Sequence, residues 1–478
     1  MFLSFIDVIN YIKDNIVWGI PLLALLLIVG FVLTFRLRGI QVTHLGESLK
    51  CMVQNDQKAG HRGEVSSFGA LCISMAATLG TGKIIGVATA IQAGGPGALF
   101  WMIFAAIFGM ATKYAEGFLA IRCRRFGKDG SVIGGPFTYI EDGMGKKWKW
   151  LAISFAIFGA LAGVMGIGNM TQMNSINEAV VSVFDPEKAH CLNIFGTDVP
   201  ICTLIITGIV TVISCIAIIG GITKISSLSV ILVPVMAIGY FLACILIVIF
   251  NIQLVPHAML EIVKGAFSFK AGVGAAAGIG IIVAMREGIS KGIFSNEAGL
   301  GSAPIALASA RTNNPVRSGL VCMSGTFVDT MVLCLTIGLG IVITGTYQDF
   351  SGIEITINSF SRGIGIGHQF SAVIVMLSIA TFAFTTIIGW NVYGEKCIAY
   401  LTNDNKIAKL IYQIIYIGGV AITPFLTLDT IWSISSIFNG LMAIPNLIGL
   451  LALSGVVAKE TMIYFQERKK EKQKVEVE

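Results

Sequence analysis

Long apolar segments separated by short polar loops run through the whole sequence. A helix needs roughly 20 consecutive apolar residues to cross the hydrocarbon layer of a membrane, and these segments reach that length. Only 13% of the 478 residues are charged and 55% are hydrophobic, which is far more apolar than a soluble domain requires. The sequence therefore predicts an all-α integral membrane protein of about eleven transmembrane helices. The predicted spans are 17–35, 67–91, 97–121, 150–182, 201–219, 228–250, 273–310, 319–344, 369–400, 408–426 and 431–457.

The second predicted span is interrupted at its centre. Gly80, Thr81 and Gly82 weaken a helix there, and Lys83 follows at a depth where a charge is costly. The backbone groups freed by the break need partners from protein, water or a ligand. A second half-helix would begin near Gly82, with partly positive amides that favour a carboxylate. The alternative is a glycine pair used only for packing, with Lys83 in a water-filled vestibule.

The seventh predicted span carries a second interruption. Segment 273–310 is too long for one straight span, and its centre, 292–301, is rich in glycine and polar residues. The two broken spans lie five spans apart, so they cross the membrane in opposite directions. This pattern indicates an inverted repeat of five plus five spans, preceded by one extra helix, and broken helices at matching positions point to a binding site near the midplane.

The repeat divides the chain into five parts. Two further stretches, 256–269 and 352–360, are amphipathic and too short to span, which is typical of interfacial helices. The predicted parts are 1–66 (extra helix and cytoplasmic linker), 67–250 (first repeat), 251–272 (external connection), 273–457 (second repeat) and 458–478 (charged cytoplasmic tail).

The distribution of lysine and arginine predicts the orientation. With the C-terminal tail inside and the N-terminus outside, the cytoplasmic segments hold 22 of the 33 Lys and Arg residues, the external segments hold five, and six lie within predicted spans. The apolar segment 17–35 is too long for a signal peptide and is followed by Arg36 and Arg38 instead of a cleavage site, so it is expected to be retained. We therefore expect a multi-pass protein of the cell membrane.

The sequence offers little support for catalysis or for a resident cofactor. Ten cysteines and five histidines are scattered without paired or metal-binding spacing, so no cofactor and no disulfide framework is expected. No nucleophile, acid–base pair or metal set is clustered, which disfavours a membrane enzyme. A channel is the other alternative to a carrier. No nucleic-acid partner is expected, and the sequence leaves the oligomeric state open, a monomer included.

Several short motifs occur in an order and spacing that resemble the alanine/glycine:cation symporter family, within the superfamily that shares the LeuT fold. The resemblance covers almost the whole chain after the first span. The matching stretches are 80–82 with 86–90, 94–98, 109–116, 134–140, 168–174, 292–304, 385–395 and 439–447.

The resemblance implies a secondary transporter that imports a small neutral amino acid, alanine or glycine, together with a cation, with Na⁺ expected. Alternatives are a proton-coupled or sodium-independent carrier that uses Lys83 as its fixed cation, and a larger substrate such as glutamine. The implied substrate-binding residues are Thr81, Gly82, Lys83, Gln172, Phe294, Ser295, Asn296 and Trp390. The implied sodium ligands are Thr78, Leu79, Thr385 and Thr386.

Physical chemistry agrees with these roles and also leaves alternatives. A buried amino-acid zwitterion needs donors for its carboxylate and acceptors for its ammonium, and sodium prefers oxygen ligands. Thr385 and Thr386 could instead bond only their own helix, and Trp390 could be core packing. Lys83 stands where the family usually carries asparagine. We expect it either to pair with the substrate carboxylate or to lose its charge on burial.

Overall fold

The computed structural model describes residues 5–54, 62–127, 130–194, 197–267, 279–426 and 428–477. These residues form helices and two short antiparallel hairpins, β1–β2 and β3–β4. The longer helices are α1 (Ile20–Arg36), α2 (Ser67–Thr78), α3 (Ile85–Gly94), α4 (Gly97–Arg122), α5 (Lys149–Val164), α6 (Met170–Phe184), α7 (Ile201–Ile219), α8 (Gly221–Phe250), α9 (Val255–Phe267), α10 (Ile279–Asn296), α11 (Ala303–Leu307), α12 (Pro315–Thr326), α13 (Leu335–Thr344), α14 (Ile353–Ile364), α15 (His368–Leu401), α16 (Lys406–Ile422) and α17 (Leu428–Val477).

Short elements connect these helices. The strands are β1 (Arg125–Phe126), β2 (Val132–Ile133), β3 (Cys191–Ile194) and β4 (Thr197–Pro200). The short α-helices are Phe5–Tyr11, Ile40–Thr43, Leu45–Val53 and Pro136–Thr138. Wider π-helical turns occur at Ile12–Val17, Tyr139–Gly143 and Phe327–Cys334, and tighter 3₁₀ turns at Thr81–Lys83, Lys146–Trp148, Ile252–Leu254 and Thr423–Phe425.

Among the described residues, nine helical segments are long and apolar enough to cross a membrane, and α2 with α3 forms a tenth, bent span. The remaining predicted span, 273–310, corresponds to α10 and α11, and its residues before 279 lie outside the described part. The connection predicted at 251–272 likewise extends into undescribed residues after 267. Its described part, α9, is an amphipathic helix, and α14 is a second one.

The break in the second span is as the sequence predicts. The Ser66 side chain caps α2 by accepting a hydrogen bond from the Gly69 amide, and the helix ends at Thr78. One 3₁₀ turn, Thr81–Lys83, leads into α3. The two half-helices are bent by 62°. The bend leaves the last carbonyls of α2 and the first amides after Gly80 free to face the protein interior.

The break in the seventh span lies a few residues later than its predicted centre, between Asn296 and Ala303. Gly299 and Gly301 adopt positive φ angles of 88° and 81°, which side chains rarely allow. Phe294, Ser295 and Asn296 therefore form the last turn of α10 instead of unwound chain.

The fourth span corrects one expectation. The sequence predicts an uninterrupted helix over 150–182, but α5 ends at Val164 and α6 begins at Met170. Gly166 has a φ of 141°, and the Asn169 side chain caps α6 by accepting from the Met170 amide at 2.6 Å. Because an asparagine cap competes with propagation of the preceding helix, Gly166 and Asn169 together end α5 within an apolar run.

The segment before α2 is joined to the segment after α11. Val65 and Ala310 form a parallel β-bridge, and the Glu64 amide donates to the Ser309 carbonyl at 2.8 Å. The Arg124 guanidinium donates to the Ala308 carbonyl at 2.9 Å and so adds a third segment. These contacts join three segments that flank the two broken spans.

Candidate functional site

The two broken spans meet at the side chain of Lys83. Its ammonium donates to the Thr78 carbonyl at 2.6 Å and also to the Ser295 carbonyl at the end of α10. The carboxylate of Asp329, in the π-helical turn Phe327–Cys334, lies 2.7 Å away. The exposed fractions of the Lys83 and Asp329 side chains are 0% and 3%. A complete ion pair is therefore buried between the two breaks.

This arrangement differs from the sequence expectation for Lys83. A vestibule lysine would be exposed to water, whereas this side chain is fully enclosed. In the structure Lys83 pairs with Asp329 of the chain itself, and its pairing with a substrate carboxylate stays a prediction. Two carbonyl oxygens and one carboxylate oxygen surround the ammonium, which offsets the cost of burying it at this depth.

Thr81 and Gln172 form a second polar contact beside the first break. The Gln172 amide oxygen accepts from the Thr81 amide at 3.4 Å and from the Thr81 hydroxyl at 3.3 Å. The Gln172 amide group in turn donates to the Ile167 carbonyl at 3.1 Å, within the break between α5 and α6. Gln172 therefore lies between the break in the second span and the break between α5 and α6.

The three predicted residues at the end of α10 have different surroundings. The Phe294 ring faces Gly82: a Cβ atom built on Gly82 would be 3.9 Å from the ring. The Ser295 hydroxyl contacts the Cys334 thiol at 3.4 Å. The Asn296 side chain accepts from the Ala298 amide at 2.9 Å and also donates to Thr330. Two of the three side chains are thus engaged by protein atoms.

Trp390 lies between the second break and the fourth span. Its indole N–H donates to the Glu297 carboxylate at 3.2 Å, and its ring is 1% exposed. A Cβ atom on Gly168 would be 2.3 Å from the Trp390 Cβ atom, so only glycine fits at that position. The tryptophan therefore connects α15 with the break after α10 and with the break between α5 and α6.

Oxygen atoms converge where α2 packs against α15. The Thr386 hydroxyl donates to the Ala76 carbonyl at 3.0 Å and to the Phe382 carbonyl at 3.0 Å. The Thr385 hydroxyl donates to the same Phe382 carbonyl at 2.9 Å. Both threonines thus bond their own helix, but Thr386 also reaches across to α2. Leu79, at the start of the break, is fully buried.

Of the predicted sodium ligands, Thr78 is the one whose surroundings differ most from the expectation. Its hydroxyl donates to the Ser74 carbonyl within α2, and its own carbonyl accepts from Lys83. The Ala76 and Phe382 carbonyls accept hydrogen bonds from the Thr386 hydroxyl. The sequence did not predict either carbonyl. No side-chain pattern could have revealed them, because they are backbone atoms placed by helix packing.

Asp329 is a further candidate for a functional residue. An acid inside an apolar span signals a buried partner, but the sequence does not say that Lys83, 246 positions earlier, is that partner. The π-helical turn that carries Asp329 also carries Thr330, which holds Asn296. This turn therefore supports the end of α10 at two points.

A polar cavity of about 200 Å³ lies beside the second half of α10. Phe294 lies at its wall, and the Trp18 ring packs edge-on against Phe294 with centroids 6.4 Å apart. The Trp18 indole N–H donates to the Ser436 carbonyl at 2.8 Å, which fixes the ring. Thr81 does not line this cavity and is 2% exposed.

Comparison with known proteins agrees with this architecture. The profile described as "Sodium:alanine symporter family" matches residues 3–478. An uncharacterized transporter of Haemophilus influenzae is 44% identical, with 95% of each chain covered. The sodium/alanine symporter AgcS of Methanococcus maripaludis is 42% identical over 98% of this chain and 99% of the relative. A probable sodium/glutamine symporter, GlnT of Bacillus subtilis, is 35% identical over 96% and 90% of the two chains.

Solved structures confirm the predicted fold class. The crystal structure of MhsT in complex with L-phenylalanine aligns with a TM-score of 0.52 at 12% identity, covering 84% of this chain and 99% of that one. A Na⁺-coupled sialic acid symporter aligns with a TM-score of 0.50 at 14% identity, covering 95% and 87% of the two chains. The fold is thus the LeuT-like fold that the family resemblance implies. The chain is a membrane transporter and belongs to the sodium:alanine symporter family.

Proposed function

We propose that the protein imports a small neutral amino acid, alanine or glycine, and that Na⁺ entering the cell drives the uptake. The family and the 42% identity to a sodium/alanine symporter support this substrate class. The observation that carries the proposal is the meeting of the two broken spans at one buried point, where Lys83 touches carbonyls of both. Half-helix ends of opposite polarity supply what a zwitterion needs.

The substrate carboxylate is proposed to bind the amides at Thr81 and Gly82. In the structure the Gln172 oxygen accepts from the Thr81 amide and from the Thr81 hydroxyl, and at 3.3–3.4 Å these hydrogen bonds are long. A carboxylate would make stronger, charge-assisted hydrogen bonds with the same donors. The amino acid would therefore displace the Gln172 oxygen and release that side chain to bind the substrate from the other side.

The substrate ammonium is proposed to bind near the end of α10, where backbone carbonyls carry partial negative charge. Phe294 would cover the aliphatic part, since its ring lies beside Gly82. Ser295 and Asn296 would contribute mainly by shaping this helix end, because their side chains bond Cys334 and Thr330. Trp390 would limit the space for the substrate side chain.

Sodium is proposed to bind between α2 and α15. The Thr386 hydroxyl already lies within hydrogen-bond distance of the Ala76 and Phe382 carbonyls, and the Thr385 hydroxyl lies within that distance of the Phe382 carbonyl. Leu79 would add the carbonyl at the end of α2, whose helix dipole favours a cation. These neutral oxygens suit a hard cation, and the hydroxyl protons would rotate away when the ion binds.

Transport is proposed to alternate between two faces of this site. In the predicted orientation, the cavity at Phe294 faces outside and the contacts of Glu64 with Ser309 close the cytoplasmic side. The broken spans would rock against the remaining helices to open one side at a time. Trp18 and Phe294 would separate the external cavity from the site in the closed state.

Uptake by the purified full-length protein in proteoliposomes tests this function. We expect labelled alanine to accumulate when an inward Na⁺ gradient is imposed and not with an equal K⁺ gradient. A pH gradient imposed without Na⁺ tests proton coupling. Accumulation driven only by the pH gradient would overturn sodium symport.

Glutamine is the second substrate to test, because the relative named as a probable sodium/glutamine symporter is 35% identical to this chain. Unlabelled glycine and glutamine are therefore added as competitors in the same proteoliposomes. We expect glycine to inhibit alanine uptake more strongly than glutamine does. Sodium-driven uptake of glutamine without uptake of alanine would move the substrate to the larger class.

A further inference from the structure

The Lys83 ammonium occupies a site whose other atoms are those of a cation-binding site. Its three neighbours are the Thr78 and Ser295 carbonyls and the Asp329 carboxylate. All are oxygen atoms, and the two carbonyls come from the ends of α2 and α10, where helix dipoles place partial negative charge. Hard monovalent and divalent cations are held in proteins by oxygen sets of this kind.

A positive charge at this point is needed whenever the site is sealed. The Asp329 carboxylate is 3% exposed, and an unpaired buried carboxylate is strongly destabilising. Lys83 lies only five residues after Thr78, whose carbonyl is one of its acceptors. Its side chain therefore supplies that charge from within the site. Such a tethered cation cannot be released to either side of the membrane.

We propose that Lys83 is a built-in substitute for a monovalent cation, and that this chain thereby carries one exchangeable ion fewer than its own site geometry would hold. A short side chain at position 83 would open the oxygen set to free Na⁺. A methionine at the same position would fill the space with apolar atoms and would neither supply the charge nor admit the ion.

A second lysine provides an internal competitor for the vacated site. Lys113 is 3% exposed and lines a cavity of about 10 Å³ together with Asp329 and Thr78. In a variant that lacks Lys83, the Lys113 ammonium could turn toward Asp329. We expect Na⁺, and not this lysine, to take the vacated place, so the absence of an additional ion counts against the proposal.

The test is the number of Na⁺ ions bound per chain by the purified full-length protein in detergent, measured with ²²Na⁺ and without any amino acid. We expect Lys83→Ala to bind one more Na⁺ per chain than the unmodified protein. Lys83→Met, the matched control for lost charge, should bind no additional ion. Adding Asp329→Asn to Lys83→Ala should weaken the new site at least about tenfold, because a charged ligand becomes neutral.

Equal sodium binding by the unmodified protein and Lys83→Ala would overturn the proposal, and so would an additional ion in Lys83→Met. Lys83→Asn carries the same expectation as Lys83→Ala and replaces it if the alanine variant does not fold. The inference that Lys83 replaces a cation rests on the proposed sodium symport only in its consequence for how many ions are transported. If the unmodified protein binds no Na⁺, symport fails, while the difference of one ion between the variants still tests the inference.

Discussion

The Thr386 hydroxyl on α15 lies 3.0 Å from the Ala76 carbonyl, in the last turn of α2. The two helices can approach this closely because Gly389 faces Ala77: a Cβ atom on Gly389 would be 2.8 Å from the Ala77 amide nitrogen. The hydroxyl is therefore shared between the broken span and an uninterrupted one. An ion bound here would couple the two, which is what sodium-driven rocking of a broken span requires.

Replacing Thr386 by valine should weaken sodium binding without removing the protein from the membrane. The change keeps the shape and deletes the hydroxyl, and losing one such ligand, worth about 1.4 kcal/mol, corresponds to roughly tenfold weaker binding. Thr381→Val is the matched control, since its hydroxyl bonds only its own exposed turn of α15. The measurement is the sodium dependence of alanine uptake, and identical curves for both variants would contradict the proposed site.

Much of the fold could be predicted because a membrane allows few backbone solutions. Where glycines break a long apolar run, as at Gly80 and Gly82, the freed backbone groups must find partners inside the protein. The end of α5 was missed because its causes are local: Gly166 at positive φ and the Asn169 cap. Such features stand out less in a sequence than a charged residue does.

The site was predictable in its residues but less so in its contacts. Lys83 stood out because charge in a span is costly. Its partner Asp329 lies in a different span, and no local spacing links the two. The Ala76 and Phe382 carbonyls carry no side-chain signal at all. Pairings between distant spans depend on helix packing, and a single sequence does not encode them in any local pattern.

Trp390 provides a test of substrate size. Trp390→Ala should let amino acids with longer side chains compete for uptake, because the wall of the proposed pocket would be removed. The change should be gradual, since each methylene-sized difference is worth about 1–3 kcal/mol. Trp390→Phe is the control: it keeps most of the volume but loses the hydrogen bond to Glu297. If Trp390→Ala leaves the competition profile unchanged, the ring serves only core packing.

Glu116 should be required for the shape of the second break. One of its carboxylate oxygens accepts from the Gly299 and Gly301 amides and from the Asn446 side chain, at 2.7–3.2 Å. Glu116→Ala would leave these buried donors without an acceptor, at a cost of about 1–3 kcal/mol each. We expect a lower Tm in detergent and a smaller loss for Glu116→Gln, which keeps one oxygen. A Tm equal to that of the unmodified protein in Glu116→Ala would refute this role.

The charge distribution predicts that the N-terminus lies outside the cell and the C-terminus inside. Single cysteines placed at the two ends of a cysteine-free background can be labelled in whole cells with a membrane-impermeant thiol reagent. The N-terminal cysteine should react and the C-terminal one should react only after permeabilisation. Labelling of both ends, or of neither, in intact cells would show that an even number of spans separates them.

The Glu64–Lys396 ion pair should hold the proposed cytoplasmic side closed. The two charged groups are 2.9 Å apart, Glu64 also accepts from Ser309 at 2.6 Å, and Lys396 donates to the Val132 carbonyl at 2.8 Å. The pair thus joins the chain before α2, the chain after α11 and α15. Both side chains are only 11–15% exposed, so removing one partner leaves a poorly solvated charge.

Lys396→Met should therefore shift the protein toward the state that is open on this side. A cysteine at Ile133, which lines the cavity of about 80 Å³ beside Glu64, reports the opening by its labelling rate in inside-out vesicles. We expect labelling to become several-fold faster in Lys396→Met. Lys409→Met is the control, because it removes a lysine from the same cavity that pairs with Asp404 instead of Glu64. Equal rates in the two variants would mean that the Glu64 pair does not control access.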